Sequence, residues 1–452
     1  MSIYALSTAP GRAGIAVIRI SGKAARNALD ALCHGRFPAS RVASFRRLRH
    51  PHTGEVLDEA VVLWLPGPAS FTGEDVAELH VHGGRAVVAG VLDALASLGL
   101  RLAEPGEFTR RAFGNGKIDL TEAEGLADLI NAETAFQRRQ AIAQHCGALR
   151  GHHELWRQTL LRAMAYVEAS LDFSDEGDIA ENAFNEAIPE VRRLVAELDN
   201  ALADGRRGEI VREGIQVAIV GPPNVGKSSL LNALAGREAA IVFHEPGTTR
   251  DIIEVALDLD GFPFVLRDTA GLRETESPVE QEGIRRALVS AKEADIVLLM
   301  YDAAAASAGT ASLPAGESWR EGDRPEANKT ITVINKIDLS QPDLSRCVEG
   351  TLPISAKTGA GLDALKTALV RFAEQTYDTG ETPLITRVRH RQEIEHARSA
   401  LNRFLGSVDA NEHPEIAAEH LREAGDALGR LTGRLDVEDV LGQIFSEFCI
   451  GK

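Results

Sequence analysis

The chain has 452 residues, more than one hydrophobic core ordinarily supports, so two or three domains are expected. Hydrophobic residues make up 44% and charged residues 25%, which excludes a globally disordered chain. A net charge of -17 excludes a protein that holds nucleic acid through a general basic surface, so an RNA partner needs a local patch or a second protein.

The cysteines (Cys33, Cys146, Cys347 and Cys449) show neither metal-ligand spacing nor a disulfide framework, as expected in a reducing cytosol. The N-terminus lacks a basic stretch followed by an apolar run, and the longest apolar run, around Ile296–Met300, is only strand-length. The expectation is a soluble cytoplasmic protein with no membrane association.

From Met1 to about Lys117, β-branched runs (Ile15–Ile20, Ala60–Leu65) alternate with glycine punctuation and a helical stretch near Ala86–Leu98. That is the pattern of a small mixed α/β domain. From Thr121 to about Arg207 the pattern is helical, and Leu160, Met164, Val167 and Leu171 form one stripe suited to packing against other helices. Between Ile215 and about Glu374, strand-like runs alternate with helical ones: Gln216–Val220, Ile252–Leu259, Phe264–Arg267, Ile296–Tyr301 and Thr330–Asn335. This predicts a doubly wound sheet with its site at the carboxyl ends of the strands. Ala303–Asn328, rich in Ala, Gly, Ser and Pro, reads as a surface insertion.

Helices return after Thr382, with Ile394, Ala397, Leu401 and Leu405 on one stripe and Leu421, Ala424, Leu428 and Leu431 on a second. Gly433 ends that helix, and Asp436 caps another carrying Val437, Val440, Leu441 and Ile444. Neither helical zone offers much core alone, so the two are expected to join around the inserted α/β unit. The expected spans are 1–117, 118–213, 214–376 and 377–452.

The chemistry concentrates in the third span. Gly221-Pro-Pro-Asn-Val-Gly226-Lys227-Ser228 fits a phosphate-binding loop between a strand and a helix. Asn224, Val225, Gly226, Lys227, Ser228 and Ser229 would form the cradle, where glycines admit backbone N–H groups to the phosphates and the helix N-terminus favours negative charge. Lys227 is expected to bridge the β- and γ-phosphates and Ser228 to hold Mg²⁺. Asp268, Thr269, Ala270 and Gly271 follow a strand; the carboxylate can reach Mg²⁺ through water and Gly271 can offer its N–H to the γ-phosphate. Asn335, Lys336 and Asp338 end another strand, and the Asp338 carboxylate can accept two hydrogen bonds from guanine that adenine cannot offer. Ser355, Ala356 and Lys357 would close over the base. Together these predict a Ras-like P-loop GTPase domain inserted into a discontinuous helical bundle.

Gly247, Thr248 and Thr249, followed by Arg250 and Asp251, supply the switch loop, with Thr249 completing the Mg²⁺ shell. Leu272 stands where many related switches place a water-orienting glutamine, so another polar residue, Glu280 or Glu282, must take that task.

The loop Gly221–Ser228, the Gly247–Asp251 switch, Leu272 and the tail Phe448-Cys449-Ile450-Gly451-Lys452 resemble the MnmE (TrmE) family of tRNA-modification GTPases. The likeness covers essentially the whole chain, including Pro10–Gly14, Arg19–Gly22, Phe71–Asp75, His82–Gly84 and Pro105–Phe108. It implies an N-terminal, tetrahydrofolate-binding-like α/β domain that dimerises, with G domains that meet when K⁺ and GTP are bound. It also implies Asn224 as the K⁺ side-chain ligand, backbone oxygens from Phe243 and Glu245, Thr248 beside the ion, and Glu280 as the water-orienting group. Phe243-His-Glu-Pro246 departs from the family's usual lead-in; K⁺ binding is kept if those positions give only carbonyl oxygens. Arg19, Glu78 and Lys117 match the family's folate contacts, and Lys452 reaches the same region. Cys449 is either a catalytic thiol or a small pocket-lining residue.

The implied reaction is C5 modification of wobble uridine in tRNA, using 5-formyl- or methylene-tetrahydrofolate and glycine or ammonia. The implied partners are a second copy of the chain, the flavoprotein MnmG (GidA) in a hetero-tetramer or larger complex, and tRNA through that complex. A basic cluster at Arg387, Arg389, His390 and Arg391 is either an RNA contact or a solvated helix start. Two rival readings are a ribosome-assembly GTPase and a folate-dependent one-carbon transferase with a regulatory G domain.

Overall fold

The computed structural model describes residues 1–452 apart from 174–176, 205, 237–240, 244–253, 269–288, 305–328, 343, 345–346, 378–379, 381–382, 411, 435–440, 443, 446–447 and 449. The chain divides into two units. One holds Met1–Ile130, Gln144–Leu198 and Gln392–Lys452, and the other holds Asn131–Ala143 and Asp199–Arg391. The expected 214–376 span thus lies inside a larger second unit, and the N-terminal span shares its unit with most of both helical spans.

The N-terminal stretch forms β1 (Ile3–Leu6), β2 (Ala13–Ser21), α1 (Ala25–Cys33), β3 (Ser44–Arg49), β4 (Val56–Leu65), β5 (Val76–Gly83), α2 (Arg85–Ser97), β6 (Arg101–Leu102), α3 (Glu107–Gly114) and α4 (Leu120–Asn131). The strands make a six-stranded sheet in the order β3-β4-β5-β2-β1-β6. Alternation decides its faces. Ile18 and Ile20 of β2, Val62 and Trp64 of β4 and Leu79 and Val81 of β5 are buried with Leu29, Leu32, Val91 and Leu95 of α1 and α2. Arg19 and Glu78 face the other way, directly opposite each other in the β2–β5 register.

A polar network ties this sheet to α3. Glu107, 3% exposed, accepts from Arg101 Nη2 at 2.5 Å and Arg111 Nη2 at 3.0 Å. Burial raises the pKa of its carboxyl, but hydrogen bonds from the Glu104 amide, Arg111 and Arg101 outweigh that and hold it below the ordinary value. Arg111 also reaches Glu74 at 2.9 Å, which accepts from Ser21 Oγ at 2.7 Å. The Arg19–Gly22, Phe71–Asp75 and Pro105–Phe108 motifs therefore meet in one place.

Helices α5 (Ala135–His145), α6 (Ala148–Asp172) and α7 (Gly177–Leu202) follow. In α6, Leu160 and Val167 of the expected stripe are buried and Met164 and Leu171 half-buried, and the buried face is completed by Trp156 and Ala163 instead.

The second unit is built on α8 (Arg207–Glu213), β7 (Ile215–Val220), α9 (Lys227–Ala235), β8 (Ile241–Phe243), β9 (Glu254–Leu259), β10 (Phe262–Asp268), β11 (Ile296–Asp302), β12 (Thr330–Asn335), β13 (Leu352–Pro353) and α10 (Leu362–Tyr377). Its seven-stranded sheet runs β13-β12-β11-β7-β10-β9-β8. Strands β13, β12, β11, β7 and β10 are parallel neighbours, and β9 pairs antiparallel with β10 and β8. The central strands are buried on both faces and read as continuous apolar runs, as a covered parallel sheet requires. Most of the Ala303–Asn328 insertion lies outside the described residues.

The chain returns through α11 (Val388–Asp409) and α12 (Pro414–Leu431). Leu421, Ala424, Leu428 and Leu431 of α12 are buried, and His153 of α6 meets the Leu428 carbonyl at 2.9 Å. The two helical zones thus pack together in the first unit. Helix α12 stops ahead of Gly433, which has φ +79°, and the expected cap at Asp436 with Val437 and Val440 lies outside the described residues. Among the described residues, no helix is long and apolar enough to cross a membrane.

The basic cluster at Arg387–Arg391 does begin a helix, but it is largely enclosed rather than solvated. His390 is 0% exposed and Arg387 8%. Arg391 donates to Glu209 Oε1 and Asp204 Oδ1, both at 2.7 Å, and to the Leu202 carbonyl at 3.3 Å. The carboxylates are buried, so they need a fixed guanidinium more than a solvent-facing one. Replacing it in Arg391→Met leaves Asp204 without its guanidinium and Glu209 with Arg206 alone. Chemical denaturation should show the second unit losing about 1.5–3 kcal/mol.

Candidate functional site

The site gathers at the carboxyl ends of β7, β11 and β12. The phosphate loop leaves β7 at Val220 and enters α9 at Lys227, which directs the helix N-terminus and its amides at the loop. Gly226 has φ +100°, and a Cβ there would lie 2.4 Å from Asn335 Nδ2, so conformation and space both demand glycine. Lys227 Nζ donates to the Gly221 and Pro222 carbonyls at 2.9 and 3.0 Å, which holds the ammonium at the mouth of the loop. Ser228 and Ser229 are exposed on the first turn of α9.

Asn335, 2% exposed, ties the parts together. Its Nδ2 donates to the Val225 carbonyl at 2.8 Å, and its Oδ1 accepts from the Ala356 amide at 2.9 Å. One side chain therefore fixes the phosphate loop, the end of β12 and the Ser355–Lys357 loop. The sequence reading placed Asn335 in the base-recognition motif but missed this tethering task. The signal for it was the asparagine's position at the end of a buried strand, where an amide needs partners on both sides.

Asp338 is exposed, as a base acceptor must be, and Ser355 Oγ donates to its Oδ1 at 2.6 Å. That bond orients the carboxylate while leaving acceptor sites for guanine's N1–H and amino group. Lys336 adopts φ +67° and bridges two further parts, with its Nζ 2.6 Å from the Asn224 carbonyl and 2.8 Å from Asp302 Oδ2. The Lys336 ammonium holds the Asp302 carboxyl below its ordinary range. Asp302 was not singled out in the sequence; its register position opposite Asn335 at the end of β11 is what places it here.

Asp268 ends β10 beside Ile219 of β7, which puts its backbone next to the strand that feeds the phosphate loop. The side chains of Asp268 and Phe243 are not described. Glu245, Gly247, Thr248, Thr249, Thr269, Ala270, Gly271, Leu272, Glu280, Glu282 and Cys449 lie outside the described residues. The residues that are described fit a nucleoside triphosphate: a glycine cradle, an ammonium at its mouth and an oriented carboxylate at the base end.

A second constellation lies on the N-terminal sheet. Arg19 and Glu78 are paired at 3.0 Å, with side chains 19% and 17% exposed, and His80 Nε2 lies 3.3 Å from the other Glu78 oxygen. The Arg19 guanidinium carbon stands 5.7 Å from the ring centroids of both Phe71 and Phe108. The C-terminal tail comes to the same place. The Phe108 amide donates to the Lys452 carbonyl at 3.2 Å, and Ser7 Oγ donates to the Gly451 carbonyl at 2.9 Å. Lys117 runs alongside the Phe71–Asp75 loop and donates to the Pro68 carbonyl at 2.9 Å. A half-buried cation between aromatic faces, with a carboxylate beside it, suits a flat heteroaromatic ligand bearing donors and acceptors.

The family model for the MnmE helical domain matches residues 120–449, and the model for the GTP-binding protein TrmE N-terminus matches residues 2–117. Among known proteins, the tRNA modification GTPase MnmE of Parvibaculum lavamentivorans is 52% identical over 100% of this chain and 100% of its own length. That of Paramagnetospirillum magneticum is 51% identical over 100% of this chain and 99% of its own. A solved structure of Era with MgGDPNP and a 16S ribosomal RNA fragment is 29% identical, covering 41% of this chain and 66% of that chain at a TM-score of 0.28, a likeness too slight to bear on the fold.

Two substitutions test the site. Asn335→Ala removes two hydrogen bonds to buried backbone groups at about 1–3 kcal/mol each, so equilibrium titration should show GTP and GDP weakened alike by roughly tenfold or more. Asp338→Asn presents a donor where guanine also donates. In a competition titration it should lose most of its preference for GTP over ATP while unfolding at an unchanged temperature.

Proposed function

Because this chain belongs to the MnmE family of tRNA modification GTPases, we propose that its GTP hydrolysis drives C5 modification of the wobble uridine of tRNA in a complex with a flavoprotein. The chain is a GTP hydrolase serving tRNA modification. The observation that carries the nucleotide reading is Asn335, whose two bonds hold the phosphate loop and the base loop in register.

In hydrolysis, water attacks the γ-phosphorus, the bond to the β-phosphate oxygen breaks, and GDP and phosphate leave. Lys227 and the amides from Asn224 to Ser229 would meet the phosphate charge, and Asp338 with Ser355 would select guanine. Ser228 and Thr249 would hold Mg²⁺, which supplies charge neutralisation between the β- and γ-phosphates. Asn224 is exposed on the loop, with its carbonyl fixed by Lys336, which suits a side chain that ligates K⁺ at a surface shared with a second copy. Leucine at position 272 cannot orient water, so Glu280 takes that role in this reading.

The Arg19–Glu78 pair, Lys117 and the Lys452 tail would hold a tetrahydrofolate that brings a one-carbon unit. The homodimer, the flavoprotein MnmG and tRNA complete the assembly, which works in the cytoplasm. A net charge of -17 supports a division of labour in which the partner supplies most of the RNA-binding surface.

Turnover of GTP should be several-fold faster in KCl than in NaCl at equal ionic strength; equal rates would remove the K⁺ role and leave GTP binding intact. Glu280→Gln should lower kcat by roughly 10²-fold or more with GTP affinity retained. Mass spectrometry of wobble nucleosides from cells carrying only that variant should then show unmodified uridine. Normal modification would separate hydrolysis from the tRNA chemistry and defeat the proposal.

A further inference from the structure

The chain carries 66 acidic residues against 49 lysines and arginines, but the excess is not spread evenly. Between Lys23 and Arg49 stand one lysine and six arginines with a single acidic residue, Asp30. This stretch covers α1, the loop after it and β3, which is the edge strand of the N-terminal sheet.

Four of the arginines gather around Phe37. The Arg26 guanidinium carbon stands 4.6 Å from the Phe37 ring centroid, and that ring meets Trp64 edge-on at 5.3 Å. The Arg41 amide donates to the Trp64 carbonyl at 2.8 Å, and Arg41 Nη2 donates to the Ala69 carbonyl. Arg46 Nε donates to the Arg36 carbonyl at 2.7 Å and Arg46 Nη1 to the Phe45 carbonyl at 2.8 Å. Arg26, Arg36 and Arg41 are exposed and Arg46 is half-buried. The next residue, Arg47, points to the opposite face of β3, where it pairs with Glu59.

Among the described residues, no carboxylate pairs with Arg26, Arg36, Arg41 or Arg46, Asp30 included. Backbone carbonyls hold two of these guanidiniums in place without cancelling their charge, and an aromatic face holds a third. Surfaces ordinarily intersperse the two signs, because like charges side by side repel. A cluster that is fixed yet uncompensated is arranged for a polyanion from outside. Arginine in place of lysine narrows the choice, since its planar fork matches phosphate oxygens in pairs. A second copy of the same surface would set arginine against arginine across a two-fold axis, so self-pairing does not supply the missing charge. The Phe37 ring is already covered by Arg26 and Trp64, which leaves guanidiniums rather than a bare aromatic face for the contact, as backbone recognition requires.

We propose that Arg26, Arg36, Arg41 and Arg46 form a direct contact of this chain with the sugar-phosphate backbone of tRNA, separate from any RNA-binding surface of the flavoprotein. This rests on the tRNA-modification reading and adds to it a place on the chain where the RNA is held.

The test titrates the full-length protein, without its partner, against a fluorescein-labelled unmodified tRNA transcript at a series of KCl concentrations, read by anisotropy. Binding should be saturable and should weaken as salt rises. The Arg36 guanidinium has no partner among the described residues, so Arg36→Gln leaves the fold intact. It should weaken binding several-fold and lower the slope of log affinity against log salt by about 0.7–0.9. Adding Arg26→Gln should lower the slope by about as much again. Arg47→Gln should leave the affinity unchanged, and GTP turnover should be unchanged in all three variants. Failure of the chain alone to bind tRNA overturns the proposal but leaves the modification reading standing, because wobble nucleosides from cells report on that separately. Native affinity in the Arg26→Gln/Arg36→Gln variant overturns it too, as does an equal loss in Arg47→Gln. Vesicles of phosphatidylcholine and phosphatidylserine are the competing polyanion: if the double variant loses vesicle binding and keeps tRNA binding, the surface belongs to lipid.

Discussion

A single buried amide holds the nucleotide site in shape. Asn335 spends its donor on the phosphate loop and its acceptor on the loop that closes over the base, so neither loop can move without leaving a buried polar atom unpaired. Around it the remaining contacts are graded by exposure. Lys336 braces the phosphate loop from outside, Ser355 orients Asp338, and the flexible ammonium of Lys227 rests on carbonyls of the loop it serves. Rigid groups thus lie deep and adaptable ones at the surface, which suits a site that binds one base tightly and releases phosphate.

The N-terminal constellation is built on the opposite principle. Arg19 and Glu78 are positioned by strand register, with no buried tether, and the C-terminal tail is laid across them by backbone bonds to Phe108 and Ser7. Chain ends more than four hundred residues apart therefore share one surface. The polar network from Ser21 through Glu74 and Arg111 to Glu107 lies behind that surface and keeps the sheet and α3 from shifting beneath it.

Much of this was legible in the sequence, for identifiable reasons. The phosphate loop and the Asn335–Asp338 segment carry their own geometry, because glycines at fixed spacing after an apolar run admit few backbone paths. The stripes of α6, α11 and α12 were readable because a helix repeats its buried face within a few residues. What escaped was set by distant partners. Nothing near Arg391 in the chain announces Asp204 and Glu209, so a run of basic residues read as solvated when its guanidinium was in fact enclosed by carboxylates. Asp302 was missed for the same reason, gaining its meaning from a neighbouring strand. The partition into units was likewise unreadable, since residues 131–143 pack with a stretch beginning at Asp199 that composition alone does not link to them.

The Arg391 clamp has a consequence for how such a chain can assemble. It fastens the start of the second unit's longer stretch to its end, through Leu202, Asp204 and Glu209. Once that unit has folded, the interrupted bundle is joined by what amounts to a tight hairpin, however many residues the hairpin contains. The entropy of bringing the bundle's halves together then grows with the short gap at the clamp, and barely with the length of the guest. A domain fastened in this way can lengthen its surface loops over generations without loosening its host.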